Sequence, residues 1–241
     1  MKKDEPYQGF EQGRIRPPSE SGSLLIRVSR NCPWNRCTFC NLYKDTKFSL
    51  RPVDHILKDI DLIRDSVKKI NNGEELKPQS GPDEMAAYAA MNWVQNGMKS
   101  VFLQDSNSLL MKPDELVEVL QYLSDTFPEI ERITSYARSH TIARISAANL
   151  KRMATAGLNR IHVGLESASD TVLAMVKKGT DKAMQIRLLM SAGSSPDAWE
   201  LRCAVRERLI GYLQRHRPES LPRFRIDKSA GTETVTAADN A

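Results

Sequence analysis

From Ser100 to Ser191 short apolar runs alternate with amphipathic stretches, and this alternation limits the fold more than any other feature of the chain. Ser100–Gln104 (SVFLQ), Ile130–Ala137 and Arg160–Leu165 (RIHVGL) have the length and apolar content of buried strands. Between them, Pro113–Phe127 places Leu116, Val119, Leu120, Leu123 and Phe127 on one helical face. Ser146–Ala156 reads as a helix stopped by Gly157, and Ser169–Ser191 as another, interrupted near Gly179. Upstream, Ser23–Arg30 (SLLIRVSR) is a further strand. Ile56, Ile60, Ile63, Val67 and Ile70 then recur at helical spacing as far as Asn71-Asn72-Gly73, and a second helix is expected over Pro82–Gln95. Strands separated by helices pair in parallel through right-handed crossovers. The expected class is therefore α/β, with about four parallel strands.

The rest of the chain does not share this pattern. Residues 1–22 are rich in Pro, Gly and Ser and read as an extended arm, leaving 23–193 as the core. Ser194-Ser195-Pro196 breaks the alternation. Residues 194–241 are expected to hold one helix, Asp197–Arg217, and a polar disordered tail. The helix has Ala198, Leu201, Val205, Leu209 and Tyr212 on one face. No run approaches the ~20 apolar residues that cross a bilayer, and the charged N-terminus has no apolar segment of a secretory signal. These features point to the cytoplasm and to no membrane partner. The net charge of +5 is spread along the chain, so an ordinary solvated surface is favoured over nucleic-acid binding.

Three of the four cysteines fall within nine positions, Cys32, Cys37 and Cys40, in the segment NCPWNRCTFC. In a reducing compartment such clustering means metal or reactivity more than disulfides. Cys37 and Cys40 have the spacing of a redox pair, but Cys32 would then be superfluous. A closed zinc site needs a fourth ligand, for which Cys203 and His55 are the evident recruits, and neither sits in a paired knuckle. Three thiolates on one loop suit three irons of a [4Fe–4S] cube and leave the fourth iron open to a ligand.

With its flanks, the loop resembles the radical S-adenosylmethionine (radical SAM) superfamily, in the branch whose first gap has four residues. The resemblance runs over about Gly13–Ala192 through RPPSESGSLLIRVSR, NLYKDTKFSLRP, FLQDSNSL, SYARSHTI and HVGLESASDTVLAMVKKG. It implies a (β/α) partial barrel with its site at the C-terminal ends of the strands. Cys32, Cys37 and Cys40 would ligate the cluster, and the amino and carboxylate groups of S-adenosylmethionine would chelate the open iron. Phe39 would pack against the adenine. The family's Gly-Gly-Glu-like segment, which holds the methionine amino group, corresponds here to Gln104-Asp105-Ser106-Asn107. Arg138 and Glu166 are implied for the carboxylate and for the ribose or amino group. The implied chemistry is one-electron cleavage of the cofactor to a 5′-deoxyadenosyl radical, fed by an electron donor such as flavodoxin or ferredoxin.

The chain departs from the family after its fourth strand signal, so an incomplete barrel with an unrelated C-terminal helix is expected. A truncation or a fusion of two reading frames near Ser194 would explain the switch. The substrate is unknown from sequence. A zinc-binding interaction module and a basic nucleic-acid binder are the rival readings. Among single residues, Trp34 is expected to be an apolar anchor, His162 a satisfied core residue and Cys203 a small buried apolar one.

Overall fold

A computed structural model of the chain describes residues 6–74 and 82–185, together with Arg215. The chain divides into two units, Met1–Leu188 and Leu189–Ala241. The helix expected over Asp197–Arg217, the tail and Cys203 lie outside the described residues, Arg215 apart.

In the first unit, β1 (Leu24–Arg27) is followed by the short β2 (Ser29–Arg30) and β3 (Ser49–Leu50). Next come α1 (Val53–Asn71) and α2 (Pro82–Gln95), β4 (Ser100–Gln104) and α3 (Pro113–Thr126). The unit continues with β5 (Arg132–Ala137), α4 (Ser139–Ile142), α5 (Ala147–Thr155), β6 (Leu158–Val163) and α6 (Asp170–Met175). Strands β1, β4, β5 and β6 form one parallel sheet in that order. The α/β class with four parallel strands is therefore what the chain forms.

Alternation along the strands separates two faces. Leu24, Ile26, Val101, Leu103, Ile133 and Leu158 join Ile56, Ile60, Ile63, Leu116, Leu120 and Leu123 of the helices in one buried core. Each such side chain contributes about 1.5–3 kcal/mol on leaving water. Phe102, Tyr136 and His162 point the other way and stack on one another across the sheet: Phe102 and Tyr136 have ring centroids 5.0 Å apart, and Tyr136 and His162 5.8 Å. Glu20, fully buried, lies against this second face, 3.8 Å from His162 Nε2 and 3.4 Å from Arg132 Nη2. His162 is thus no satisfied core residue. Its side chain is 32% exposed, and Nε2 has no hydrogen-bond partner.

Several boundaries differ from the sequence expectation. The first strand is split at Val28, whose N–H bonds to Gln104 O (2.6 Å), and Ser29–Arg30 turns to pair antiparallel with Ser49–Leu50. Strand β6 begins two residues early, directly after Gly157 at φ +113°. An irregularity opposite Ile133/Thr134 is bridged by the Asn159 side chain, which accepts from Ile133 N–H (3.1 Å) and donates to Glu131 O (2.7 Å). The helix expected from Ser169 is interrupted near Gly179 as expected: α6 stops at Met175, Lys177 and Gly179 take left-handed backbone angles, and helix resumes at 182–185.

Candidate functional site at the strand ends

The residues selected for the cluster and its cofactor lie beyond the C-terminal ends of the parallel strands or on the loop leaving β2, whereas His55, weighed as a zinc ligand, is buried on α1. The described surroundings begin with Asn31, just before Cys32. Its backbone is left-handed (φ +66°), a conformation asparagine tolerates better than most residues. Its N–H donates to Asp105 Oδ2 (2.8 Å), its carbonyl accepts from Ser106 Oγ (3.0 Å), and its side chain donates to Lys47 O (2.7 Å). The residue that launches the cysteine loop is therefore held from three sides.

Below it lies a network of three carboxylates and three guanidiniums. Glu11 receives Arg27 Nη1 (3.1 Å) and Arg30 Nη2 (2.6 Å), and Arg51 Nε lies 2.9 Å from it. Asp105 receives Arg27 Nη2 at 2.7 Å, and Asp59 receives Arg51 Nη1 at 2.5 Å. The guanidiniums hold the Glu11 carboxyl below its ordinary range even though burial, the largest influence, opposes them. At Asp59 burial wins, and the carboxyl is raised despite Arg51 and Tyr7. Above the network the N-terminal arm crosses the end of β4: Gly13 N–H donates to Gln104 Oε1 (2.7 Å), and Gln104 Nε2 donates to Ile15 O (2.7 Å). A Cβ on Gly13 would stand 1.7 Å from Asp105 Oδ1, so only glycine lets the arm pass there.

The segment Gln104-Asp105-Ser106-Asn107 is brought to the site but is largely spent on the fold. Asn107 Nδ2 donates to Thr141 Oγ1 (2.8 Å), and its Oδ1 accepts weakly from Arg138 N–H (3.4 Å). Asp105 is fully buried and uses Oδ2 for Arg27 and Asn31, while Oδ1 has no hydrogen-bond partner.

The cysteines themselves are free thiols of intermediate exposure. Burial, above all, raises the Cys37 thiol, and the neighbouring Cys32 and Cys40 add to this while Lys178 and Arg138 oppose it. The three thiols thus share one electrostatic neighbourhood with two cations. Arg138, at the end of β5, stacks over Trp34 (4.6 Å to the ring centroid) and donates to Lys178 O (2.7 Å). Burial pushes its titration down, against the pull of Cys32 and Cys37. Glu166, beyond β6 at φ +62°, accepts from Lys178 Nζ (2.8 Å), and that ammonium lies 5.8 Å from the centroid of the Phe39 ring. Glu166 does not cap α6; Ser169 does, accepting from Val172 N–H (3.5 Å). Phe39 is 51% exposed.

The interruption expected near Gly179 is the turn after α6; what sequence reasoning missed is its hold on the cysteine loop. Thr38 N–H donates to Val176 O (3.1 Å) and Trp34 Nε1 to Lys177 O (2.7 Å), so the helix end grips the cysteine loop. Trp34 is not the apolar anchor expected: its ring meets the Arg36 and Arg138 guanidiniums, and it sits against Gly179, where a Cβ would lie 2.2 Å from the indole. The glycine that interrupts the helical pattern was the available signal. Tyr43 was also missed; it is 2% exposed, and its hydroxyl has no hydrogen-bond partner.

Among the described residues, no group of three His, Cys, Asp or Glu side chains is gathered to hold a single metal ion. A cluster asks for something different, since each thiolate binds its own iron and the sulfurs need only face a common space. Three half-buried thiols on one loop, with the Lys178 and Arg138 charges acting on Cys37 and a buried Tyr43 hydroxyl able to donate, supply a donor set of that kind.

The arrangement is that of an α/β protein with a thiol-bearing loop at the carboxyl ends of its strands. The radical SAM superfamily profile matches residues 26–194, and the chain belongs to that superfamily. It is 30% identical over 181 residues to 4'-phospho-dehydrooxetanocin synthase of Priestia megaterium, a match covering 71% of this chain and 22% of that protein. Among solved structures it is similar to the cobalamin-dependent S-adenosylmethionine radical enzyme OxsB with aqua-cobalamin bound, with 23% identity, a TM-score of 0.45, and coverage of 70% of this chain and 22% of that one. The OxsB structure with aqua-cobalamin and S-adenosylmethionine gives 22% identity, a TM-score of 0.44 and the same coverage. The chain thus spans about a fifth of the length of the relatives it matches. No helix among the described residues is long and apolar enough to cross a membrane.

Proposed function

We propose that this chain holds a [4Fe–4S] cluster on Cys32, Cys37 and Cys40 and binds S-adenosylmethionine beside it. When bound, the pair would supply a 5′-deoxyadenosyl radical after one-electron reduction by a flavodoxin- or ferredoxin-like donor. The observation that carries the proposal is the set of three free, half-buried thiols on the loop that leaves β2, with the Arg138 guanidinium stacked 4.6 Å over Trp34 of the same loop. Arg138 would offer its charge to the cofactor carboxylate while Trp34 fixes the guanidinium plane. Phe39, exposed beside Lys178, would gain its burial against the adenine. Glu166 would take the ribose or amino group. Ser106 and Asn107 would shape the wall near the amino group, and Asp105 would act chiefly by seating Asn31.

The substrate class is proposed only as far as the relative's name goes, a 4'-phospho compound. Holding the cluster needs one loop; turnover needs a closed cavity. Anaerobic reconstitution tests the reading. It should give a brown protein with about four irons and broad absorbance near ~400 nm. Cys37→Ala should lose both, and Cys203→Ala should keep them. An intact cluster in Cys37→Ala would refute the ligand assignment. S-adenosylmethionine should change the electron paramagnetic resonance spectrum of the reduced protein, and an unchanged spectrum at millimolar cofactor would refute its binding.

A further inference from the structure

Tyr43 lies three residues after Cys40 and is 2% exposed. Its backbone is fixed at both ends of the loop. Its carbonyl accepts from Asn35 Nδ2 and from Thr46 Oγ1 (2.5 Å), and next to it Lys44 Nζ donates to the carbonyls of Asn35 and Cys37, each at 3.1 Å. The backbone that carries the buried ring is therefore held in place. Yet among the described residues its hydroxyl has no hydrogen-bond partner, and so buried an O–H normally has one. The charged or ionisable groups that act on it most are Asp105, Cys32, Arg27 and Cys40, two of them members of the thiol set. Burial and the Asp105 carboxylate keep the phenol protonated far above the neutral range, so it is a permanent donor.

We infer that Tyr43 is a positioning residue of the cluster loop, its hydroxyl donating a hydrogen bond to a sulfur of the cluster held by Cys32, Cys37 and Cys40. The inference rests on the cluster assignment proposed above and adds a residue outside the cysteine motif. A donor to sulfur withdraws electron density and favours the reduced, more negative cluster. A cluster sulfur would then be the acceptor that the buried Tyr43 hydroxyl does not find among the described residues.

The test is Tyr43→Phe in the full chain, with Tyr88→Phe, an exposed hydroxyl on α2, as control. Metal-free, Tyr43→Phe should melt at or above the wild-type temperature, because it deletes an unpaired buried group. After reconstitution it should hold as much iron as wild type. Its one-electron reduction equilibrium should fall about tenfold, which is about 59 mV to more negative potential, with Tyr88→Phe unchanged. A loss of stability in metal-free Tyr43→Phe would mean the hydroxyl has a partner within the chain and would overturn the inference. An unchanged midpoint in iron-loaded Tyr43→Phe would overturn it alone, leaving the cluster assignment standing. A wild-type chain that takes up no iron would overturn both.

Discussion

Six charged side chains beneath Asn31 share one largely buried network, whereas Phe39, on the loop that Asn31 launches, is 51% exposed. The floor and the loop are built from the same kind of material, a few polar anchors around short backbone segments. They differ in how far their interactions are completed within the chain. Arg51 and Asp59 have no side-chain exposure, and each carboxylate of the floor meets at least one guanidinium. On the loop, the thiols are half-buried, the aromatic ring is partly in water, and the Tyr43 hydroxyl has no partner. A floor whose charges are paired within the chain can hold its shape before anything binds, even though Asp105 Oδ1 and Arg51 Nη2 have no hydrogen-bond partner among the described residues. A loop left with open valences is suited to receive a guest.

If that division is real, the largest stability loss should come from the floor. Asp59→Ala removes the buried carboxylate partner of Arg51 Nη1 and leaves the guanidinium with Glu11 and the Arg27 carbonyl, so about 3 kcal/mol should be lost in urea unfolding. Cys37→Ala, measured on the metal-free protein in parallel, should cost less than about 1 kcal/mol while abolishing iron uptake. Comparable losses from the two variants would erase the distinction.

Gly179→Ala probes the seam between the loop and the rest. The position has φ +69°, and the added methyl would press 2.2 Å from the Trp34 ring. Both effects oppose alanine, and together they should cost about 1–3 kcal/mol. Trp34 should move away from Arg138, with a change in tryptophan fluorescence that an alanine at the exposed turn glycine Gly73 does not produce, since nothing lies within 4 Å of a Cβ there. Unaltered fluorescence would show that the helix end does not set the loop.

The acid response should also follow the floor. Glu11 is held below its ordinary value of 4.5, so its contribution is complete above that pH and fades as pH falls through the lowered folded value. Wild type should therefore lose stability on acidification below about pH 5, and Glu11→Gln, already without the charge, should show a shallower slope there. Asp59 acts in the opposite sense. Its carboxyl is raised, so the stability it contributes is greatest at low pH and declines as pH rises through the raised value. An identical slope in wild type and Glu11→Gln between about pH 5 and pH 3 would remove Glu11 from the network's energetics.

The contrast also explains what could be read from the sequence. Period and length announced β4 (Ser100–Gln104) and α2 (Pro82–Gln95) to the residue, because an apolar face of either kind must repeat to be buried. The cysteine loop was legible through its spacing. The floor was not, since Glu11, Arg27, Arg51 and Asp59 meet only after the chain has folded, and single charges in an arm or a strand carry no periodic mark. Tyr43 and Gly179 escaped for the same reason: their meaning lies in Asp105, Cys32 and Trp34, distant or unpatterned in sequence.

The smallest stability effect is expected at Phe39. Its ring is half in solvent, and its noted partner is the Lys178 ammonium at 5.8 Å, a contact worth little at an exposed site. Phe39→Ala should thus shift the metal-free melting point by no more than about 2 °C, equivalent to about 0.5 kcal/mol for a chain of this size. Iron content should stay at the wild-type level, because the thiols are untouched. What should change is the amount of S-adenosylmethionine needed to alter the reduced protein's spectrum, by about tenfold if the ring gives a stacking contact near 1.4 kcal/mol. A melting point that falls by much more would place Phe39 in the folding core and make the loop as self-sufficient as its floor. An unchanged cofactor requirement with normal iron content would leave the ring without the guest its exposure invites.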